Sequence, residues 1–90
     1  MQIVWDERKR AENLRKHGLD FAALTPGYFL EAIITPAKKG RLKALGYLPS
    51  GQVAAIFVRL GSEGISVISL RAASRSERKD YAQTEAPTHH

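Results

Sequence analysis

The sequence contains no cysteine, which excludes disulfide bonds, thiolate metal sites and cysteine nucleophiles. It also has no apolar run near the roughly 20 residues that a membrane-spanning helix needs, and its N-terminal segment lacks the apolar core of a signal peptide. No P-loop, GxGxxG or GxSxG motif occurs, so P-loop ATPases, Rossmann dehydrogenases and α/β-hydrolases are excluded. We therefore expect a cytoplasmic protein without contact to a membrane and without a cofactor.

Acidic residues are in the minority, with 9 Asp and Glu against 14 Lys and Arg and a formal net charge of +5. Such an excess favours nucleic acid or an acidic protein as a partner, because cations that neutralise phosphates release condensed counterions. The 90 residues are enough for one hydrophobic core only. We expect a single domain over residues 1–83 and a flexible tail over residues 84–90.

Helix signals dominate the first part of the chain. Asp6 and Gly18 are typical N-cap and C′ residues, and they predict a surface helix over Glu7–His17. Asp20 can cap a second short helix over residues 21–24. The Thr-Pro-Gly triplet that follows should end this helix, because the residue before proline disfavours helical dihedral angles.

Strand signals fill the middle of the chain. Runs rich in Ile, Val, Tyr and Phe predict four strands over residues 28–35, 41–48, 52–60 and 65–71. The turns between them are short, so an antiparallel meander is the economical topology. Ser74 and Glu77 have the spacing of a capping box and predict a last helix over residues 75–83. The predicted fold class is α+β: a short entry strand, N-terminal helices, a four-stranded antiparallel meander and a C-terminal helix.

Candidate functional residues gather where the last predicted strand meets the last predicted helix. Arg71, Arg75 and Arg78 could hold a phosphate through bidentate guanidinium hydrogen bonds, with Lys79 beside them and Tyr81 as a surface for stacking a base. The alternative is structural. In that case Arg71 pairs with a nearby carboxylate, Glu77 or Asp80, and the other cations form a solvated helix face.

His17 is the only histidine inside the predicted fold. Its ordinary pKa suits general acid or base chemistry near neutral pH. The alternative is again structural, because an imidazolium at the C-terminal end of the first helix interacts favourably with the helix dipole. His, Asp and Glu fall at no recognised ligand spacing, so no metal site is expected.

Three phrases of the sequence resemble a known family. The first is Trp5-Asp6…Lys9…Asn13…Lys16-His17-Gly18…Phe21, the second Arg41…Leu45-Gly46…Gly51, and the third Ile68-Ser69-Leu70-Arg71-Ala72-Ala73-Ser74-Arg75-Ser76-Glu77-Arg78…Tyr81. In this order they resemble the BrnT family, the toxins of type II toxin–antitoxin operons. The resemblance implies a RelE-like fold and ribonuclease activity on cellular RNA. It also implies a small DNA-binding antitoxin, similar to BrnA, that neutralises the toxin and contacts operator DNA in a 2:2 or higher complex.

The resulting hypothesis is metal-independent RNA cleavage, in which a ribose 2′-hydroxyl attacks the adjacent phosphate. Arg71 and Arg75 are the candidates for charge stabilisation, His17 or Glu77 for the base, and Tyr81 for the acid or a stacking surface. The residues assigned to RNA binding are Arg59, Arg78, Lys79 and Lys16.

The chain departs from the family pattern at two positions, since Ser66 and Ala72 stand where many members carry basic residues. Either Arg59, which opposes Ser66 in the predicted register, replaces a missing charge, or the protein is weakly active. Two other functions stay open. One is a non-catalytic basic binding module, and the other is a gyrase-targeting toxin on the same fold.

Overall fold

The structure is a computed structural model that describes residues 1–85. Within this range one strand and two helices come first, four strands follow, and a helix comes last. They are β1 (Gln2–Trp5), α1 (Glu7–His17), α2 (Pro26–Glu31), β2 (Ile33–Pro36), β3 (Leu42–Leu48), β4 (Gly51–Leu60), β5 (Gly64–Ala72) and α3 (Arg75–Glu85), with short 3₁₀ turns at Phe21–Ala23 and Lys38–Gly40.

The strands form one sheet in the order β1-β5-β4-β3-β2. Neighbours from β2 to β5 pair antiparallel, whereas β1 lies parallel to β5 with Trp5 opposite Val67. The α+β class is therefore confirmed, but the sheet has five strands and not only the four of the predicted antiparallel meander. The predicted entry strand, β1, pairs with β5 and forms the fifth strand at the edge of the sheet. No helix among residues 1–85 is long and apolar enough to cross a membrane.

The first helix begins and ends as the sequence predicts. Asp6 accepts a hydrogen bond from the backbone N–H of Arg8 at 2.7 Å, and Gly18 has a φ of 69°, the left-handed conformation of a helix C-cap. Asp20 likewise accepts from the backbone N–H of Ala22 at 2.9 Å. The second predicted helix is confirmed as a single 3₁₀ turn, Phe21–Ala23.

Helix α2 replaces the first half of the strand predicted over residues 28–35. Thr25 Oγ1 accepts a hydrogen bond from the backbone N–H of Tyr28 at 3.1 Å, and Pro26 occupies the first helical turn, where its missing N–H costs nothing. The preceding 3₁₀ turn ends before Thr25, as predicted, but Thr25-Pro26 also starts a helix that the sequence argument does not predict. Burial of Tyr28 and Phe29 against the sheet stabilises this short helix, and the strand is reduced to Ile33–Pro36.

The predicted capping box at the last helix is confirmed. The Ser74 hydroxyl accepts from the Glu77 amide at 3.2 Å, and Glu77 Oε1 accepts from the Ser74 amide at 2.9 Å. Helix α3 runs to Glu85, so it includes the first two residues of the predicted tail. The remaining part of that tail, residues 86–90, lies outside the described residues.

A β-bulge between Ile56 and Phe57 shifts the pairing of β4 with β5. On one side of the bulge Ala54 opposes Arg71. On the other side Arg59 opposes Ile65, so the predicted pairing of Arg59 with Ser66 was wrong. The bulge could not be inferred from strand periodicity, because one extra residue leaves the apolar pattern of each half intact.

The main core lies between the sheet and the segment that contains α1 and α2. Its largest fully buried side chains include Phe21, Phe57 and Leu70. Phe29 packs edge-on against both Tyr28 and Phe57, with ring centroids 5.2 Å apart in each pair. The α3 side chains contact Lys43 and Tyr47 of β3, alternate residues that face away from this core.

Candidate functional site

The Glu77 carboxylate is the centre of a buried charge cluster on β3, β5 and α3. Arg71 Nη1 donates to Glu77 Oε1 at 2.6 Å, and Arg71 Nη2 donates to Oε2 at 2.8 Å. Lys43 Nζ donates to Oε2 at 2.9 Å, and the Ser74 amide completes the set. The Glu77 side chain is only 7% exposed, so four donors compensate the burial of its charge.

These donors hold the pKa of Glu77 well below the ordinary glutamate value. The hydrogen bonds from Arg71 have the largest effect, and the Ser74 amide and Lys43 lower it further against the opposing effect of burial. The same pairing raises the pKa of Arg71. A carboxylate that is so strongly stabilised in its ionised form accepts a proton poorly, which argues against a role as general base.

Arg71 has more N–H donors than its partners among residues 1–85 accept. A guanidinium carries five N–H groups, and to these residues Arg71 makes three hydrogen bonds, two to Glu77 and one of 3.4 Å to the Ala72 carbonyl. Glu77 therefore orients the guanidinium but accepts only two of its N–H groups. The structural alternative for Arg71, a pairing with Glu77, is what the structure shows.

An open cleft of about 660 Å³ lies beside this cluster. Within the part of the chain that the structure describes, five cations and three apolar residues line it, and no acidic residue does: Lys38, Lys39, Arg41, Lys43, Arg71, Pro36, Ala37 and Ile56. The 3₁₀ turn between β2 and β3 contributes Lys38 and Lys39, and Lys39 adopts the left-handed conformation with a φ of 61°. We call this depression the basic cleft.

Four of these cations were missed by the sequence argument. Residues 38–43 read Lys-Lys-Gly-Arg-Leu-Lys, and the predicted strand bounds leave the first part of this run in a turn. The signal was the density of positive charge beside a strand. Alternation then directs Arg41 and Lys43 to one side of the sheet, and the sheet brings that side next to Arg71.

The structure separates the predicted site residues into groups. Arg71 lines the basic cleft. Glu77 does not line it but accepts hydrogen bonds from two residues that do, Arg71 and Lys43. Arg75, Arg78 and Lys79 are exposed on α3, and none of them lines the cleft.

His17 and Lys16 lie elsewhere, at a small hollow of about 180 Å³ between α1 and β5 that also includes Ser69. Arg59 is exposed near the end of β4 and does not line the basic cleft. Within residues 1–85 no three His, Cys, Asp or Glu side chains are grouped so that they could hold a metal ion.

A third depression, which we call the tyrosine hollow, has a volume of about 330 Å³. Its lining residues are Tyr28, Glu31, Gly46, Tyr47 and Tyr81. The Tyr81 ring packs edge-on against the Tyr47 ring, with centroids 5.4 Å apart. Tyr81, predicted as a stacking surface, thus belongs to this hollow and does not line the basic cleft.

The fold and the basic cleft define a small α+β protein suited to bind a polyanion. A family model for the ribonuclease toxin BrnT of type II toxin–antitoxin systems matches residues 5–77. The crystal structure of the Brucella abortus ribonuclease toxin BrnT is similar at 50% sequence identity, with a TM-score of 0.76, and the match covers 83% of this chain and 99% of that one.

The chain therefore belongs to the BrnT family of ribonuclease toxins, and the resemblance inferred from the sequence is confirmed. Membership of a type II family implies an antitoxin partner. No curated protein matches the chain significantly.

Proposed function

We propose that this chain is an endoribonuclease that holds an RNA phosphodiester in the basic cleft and cleaves it without a metal ion. The observation that carries the proposal is the set of five cations around one open cleft, two of them oriented by a buried carboxylate. Among residues 1–85, those that line the cleft include no carboxylate, imidazole or thiolate, which are the usual metal donors in proteins. Cations alone suit a reaction in which the substrate supplies its own nucleophile.

In the proposed step the ribose 2′-hydroxyl attacks the adjacent phosphorus. The new 2′-O–P bond forms, the P–O5′ bond breaks, one proton leaves the 2′-oxygen and one reaches the 5′-oxygen. The products are a 2′,3′-cyclic phosphate and a 5′-hydroxyl end. Negative charge accumulates on the phosphate in the pentacoordinate state, and the proposal assigns its stabilisation to Arg71, which lines the cleft.

Glu77 acts in this proposal as a positioning residue that orients Arg71 and Lys43. His17 and Tyr81 remain the proposed base and acid. Neither lines the basic cleft, so each role requires that the bound RNA bring its reacting oxygen within hydrogen-bond reach of the side chain. His17→Ala and Tyr81→Phe are expected to lower kcat, and an unchanged kcat would exclude the role.

The antitoxin is proposed to cover the basic cleft together with the exposed Arg75 and Arg78. Acidic or amphipathic segments suit this role, because masking the cations is the shortest way to prevent phosphate binding. A 2:2 or higher complex, which contacts operator DNA through the antitoxin, and the RelE-like character of the fold belong to the same proposal and are supported by the family resemblance. Co-purification of the two proteins tests the contact, and Arg75→Glu with Arg78→Glu should weaken it.

The cleavage proposal is tested with end-labelled RNA in EDTA. The wild type should cut it to 2′,3′-cyclic or 3′-phosphate ends, and Arg71→Ala should be slower by about two orders of magnitude, as when one oxyanion donor is removed. Lys39→Ala, an exposed position, provides a variant that keeps the Glu77 cluster intact, and Arg8→Ala on α1 is the matched control. RNA that is bound but never cut would indicate a binding module instead. Intact RNA with inhibited gyrase in a plasmid assay would indicate the gyrase-targeting alternative.

A further inference from the structure

The tyrosine hollow lies at an open part of the sheet edge. Strand β2 pairs with β3 only as far as Leu45, so the last residues of β3 extend past the end of β2. Helix α2 contributes Tyr28 and Glu31 at this point, and α3 contributes Tyr81. Two helices and a free strand edge therefore enclose a space of about 330 Å³.

The floor of the hollow is rigid. Tyr28 is buried, and its hydroxyl donates to the Ala44 carbonyl at 2.7 Å, which fixes the ring. A Cβ atom at Gly46 would come within 2.9 Å of Tyr28 Cε1, so only glycine allows the strand to pass so close to the ring. Tyr81 follows Glu77 by one helical turn, so the buried Glu77 cluster also fixes the position of this wall.

The chemistry of the lining suits a nucleobase. Tyr47 is 61% exposed and presents an aromatic ring on which a base can stack. Among the lining residues within 1–85, Glu31 alone is charged. A carboxylate accepts two parallel hydrogen bonds, and guanine offers two adjacent donors, N1–H and the 2-amino group. Adenine and cytosine offer one amino donor beside an acceptor nitrogen, and uracil has carbonyl oxygens on both sides of its N3–H.

We propose that the tyrosine hollow is a base-binding subsite that favours guanine, in an RNA strand whose phosphate lies in the basic cleft. Lys43 and Tyr47 lie on the same side of β3, and a strand rise of ~3.4 Å per residue separates them by about 14 Å. A short single strand spans that distance. This inference rests on the proposed function, because without RNA in the cleft there is no base to place.

The test uses fluorescence anisotropy with 2′-O-methyl heptamers, which lack the attacking hydroxyl and cannot be cleaved. The four oligonucleotides have a uridine background with G, A, C or U at the central position. Wild-type protein should bind the G heptamer most tightly and the all-U heptamer most weakly. Tyr47→Ala should weaken binding of the G heptamer about tenfold through lost stacking.

Glu31→Gln separates base selection from general affinity. Removal of this negative charge should strengthen binding of the all-U heptamer and abolish the preference for G. Leu30→Ala is the matched control, since Leu30 is 79% exposed on the same helix and does not line the hollow. Equal affinity of the wild type for all four heptamers, or an unchanged G preference in Glu31→Gln, would overturn the subsite and leave the proposed function standing. Failure of the wild type to bind any heptamer would instead overturn both.

Discussion

At the scale of single residues, Glu77 determines the geometry of the candidate site although it does not line the cleft. Its carboxylate caps α3 and at the same time binds Arg71 and Lys43. Removal of the charge leaves two partly buried cations without their partner, which costs more than the loss of an exposed ion pair. The arrangement thus couples the start of α3 to the cations of the cleft.

Glu77→Gln should lower the free energy of unfolding by about 1–3 kcal/mol at pH 7, less than for a fully buried pair because Arg71 is 35% exposed. The pKa of Glu77 is lower in the folded state than in the unfolded state, so the unfolded state binds the proton first as the pH falls. The stabilisation by Glu77 is therefore complete above about pH 5 and declines below the ordinary glutamate pKa of about 4.3. Urea unfolding should show the difference between wild type and variant narrowing from pH 5 to pH 3. A constant difference over this range would contradict the account.

Gly46 is required by the close approach of the Tyr28 ring and not by its own dihedral angles. Gly46→Ala should lower the free energy of unfolding by about 1–3 kcal/mol, because the added methyl group meets a ring that is held by its hydroxyl. Gly27→Ala in α2 is the control. A Cβ there would meet Thr25 Oγ1 at an ordinary 3.6 Å, so this substitution should be neutral or stabilising by up to about 1 kcal/mol. Equal effects of the two substitutions in thermal unfolding would refute the steric argument.

At the scale of secondary-structure elements, the Asn13 side chain hydrogen-bonds the edge of β5 where strand β1 ends. Beyond Val67, β1 no longer pairs with β5, and the Asn13 carboxamide takes its place. It accepts from the Leu70 amide at 3.0 Å and donates to the Leu70 carbonyl at 2.8 Å. A side chain of α1 therefore satisfies the strand edge directly before Arg71.

Asn13→Ala should lower the free energy of unfolding by about 2–4 kcal/mol, since two buried backbone groups lose their partners. Hydrogen exchange should locate the effect, with the Leu70 amide exchanging faster than other amides of β5. Glu12→Ala, an exposed neighbour on the same helix, should change stability by no more than about 0.5 kcal/mol. Unaltered protection of the Leu70 amide would show that the carboxamide does not serve as a strand partner.

Local chemistry explains which elements the sequence could predict. The bounds of α1 follow from Asp6 and Gly18, and the capping box locates the start of α3, because each signal acts within a few residues. The parallel pairing of β1 and the bulge at Ile56 depend on contacts between distant segments, and no local signal marks them. The sequence argument missed helix α2 for another reason. Thr25-Pro26 is compatible with either end of a helix, and the burial of Tyr28 decides between the two.

The candidate site was predictable only in part for the same reason. The sequence places Arg71 near Glu77, six residues away, and their pairing was one of two alternatives. Lys43 lies 34 residues from Glu77, and its place in the cluster follows from the order of strands β3, β4 and β5. The position of Lys38 and Lys39 in the cleft beside Arg71 also depends on the register of the sheet.

At the scale of the whole molecule, a net charge of +5 attracts RNA to any surface. We propose instead that RNA binds mainly at the basic cleft. Single-stranded nucleic acid gives a slope of about −0.7 per neutralised phosphate in a plot of log affinity against log salt. If the five cleft cations each neutralise one phosphate, the slope should be about −3.5. Lys39→Ala should reduce its magnitude by about 0.7, and Arg8→Ala should leave it unchanged. Equal changes in the two variants would point to diffuse attraction.

The most direct test of the account is to map where RNA binds on the intact protein. Amide chemical shifts of ¹⁵N-labelled protein would be followed during titration with a 2′-O-methyl oligonucleotide that cannot be cleaved. We expect the largest shifts at residues 37–43 and 71, around the basic cleft, with small changes around Arg8 on α1. Shifts concentrated around Arg8, with residues 37–43 unaffected, would contradict the proposed binding site.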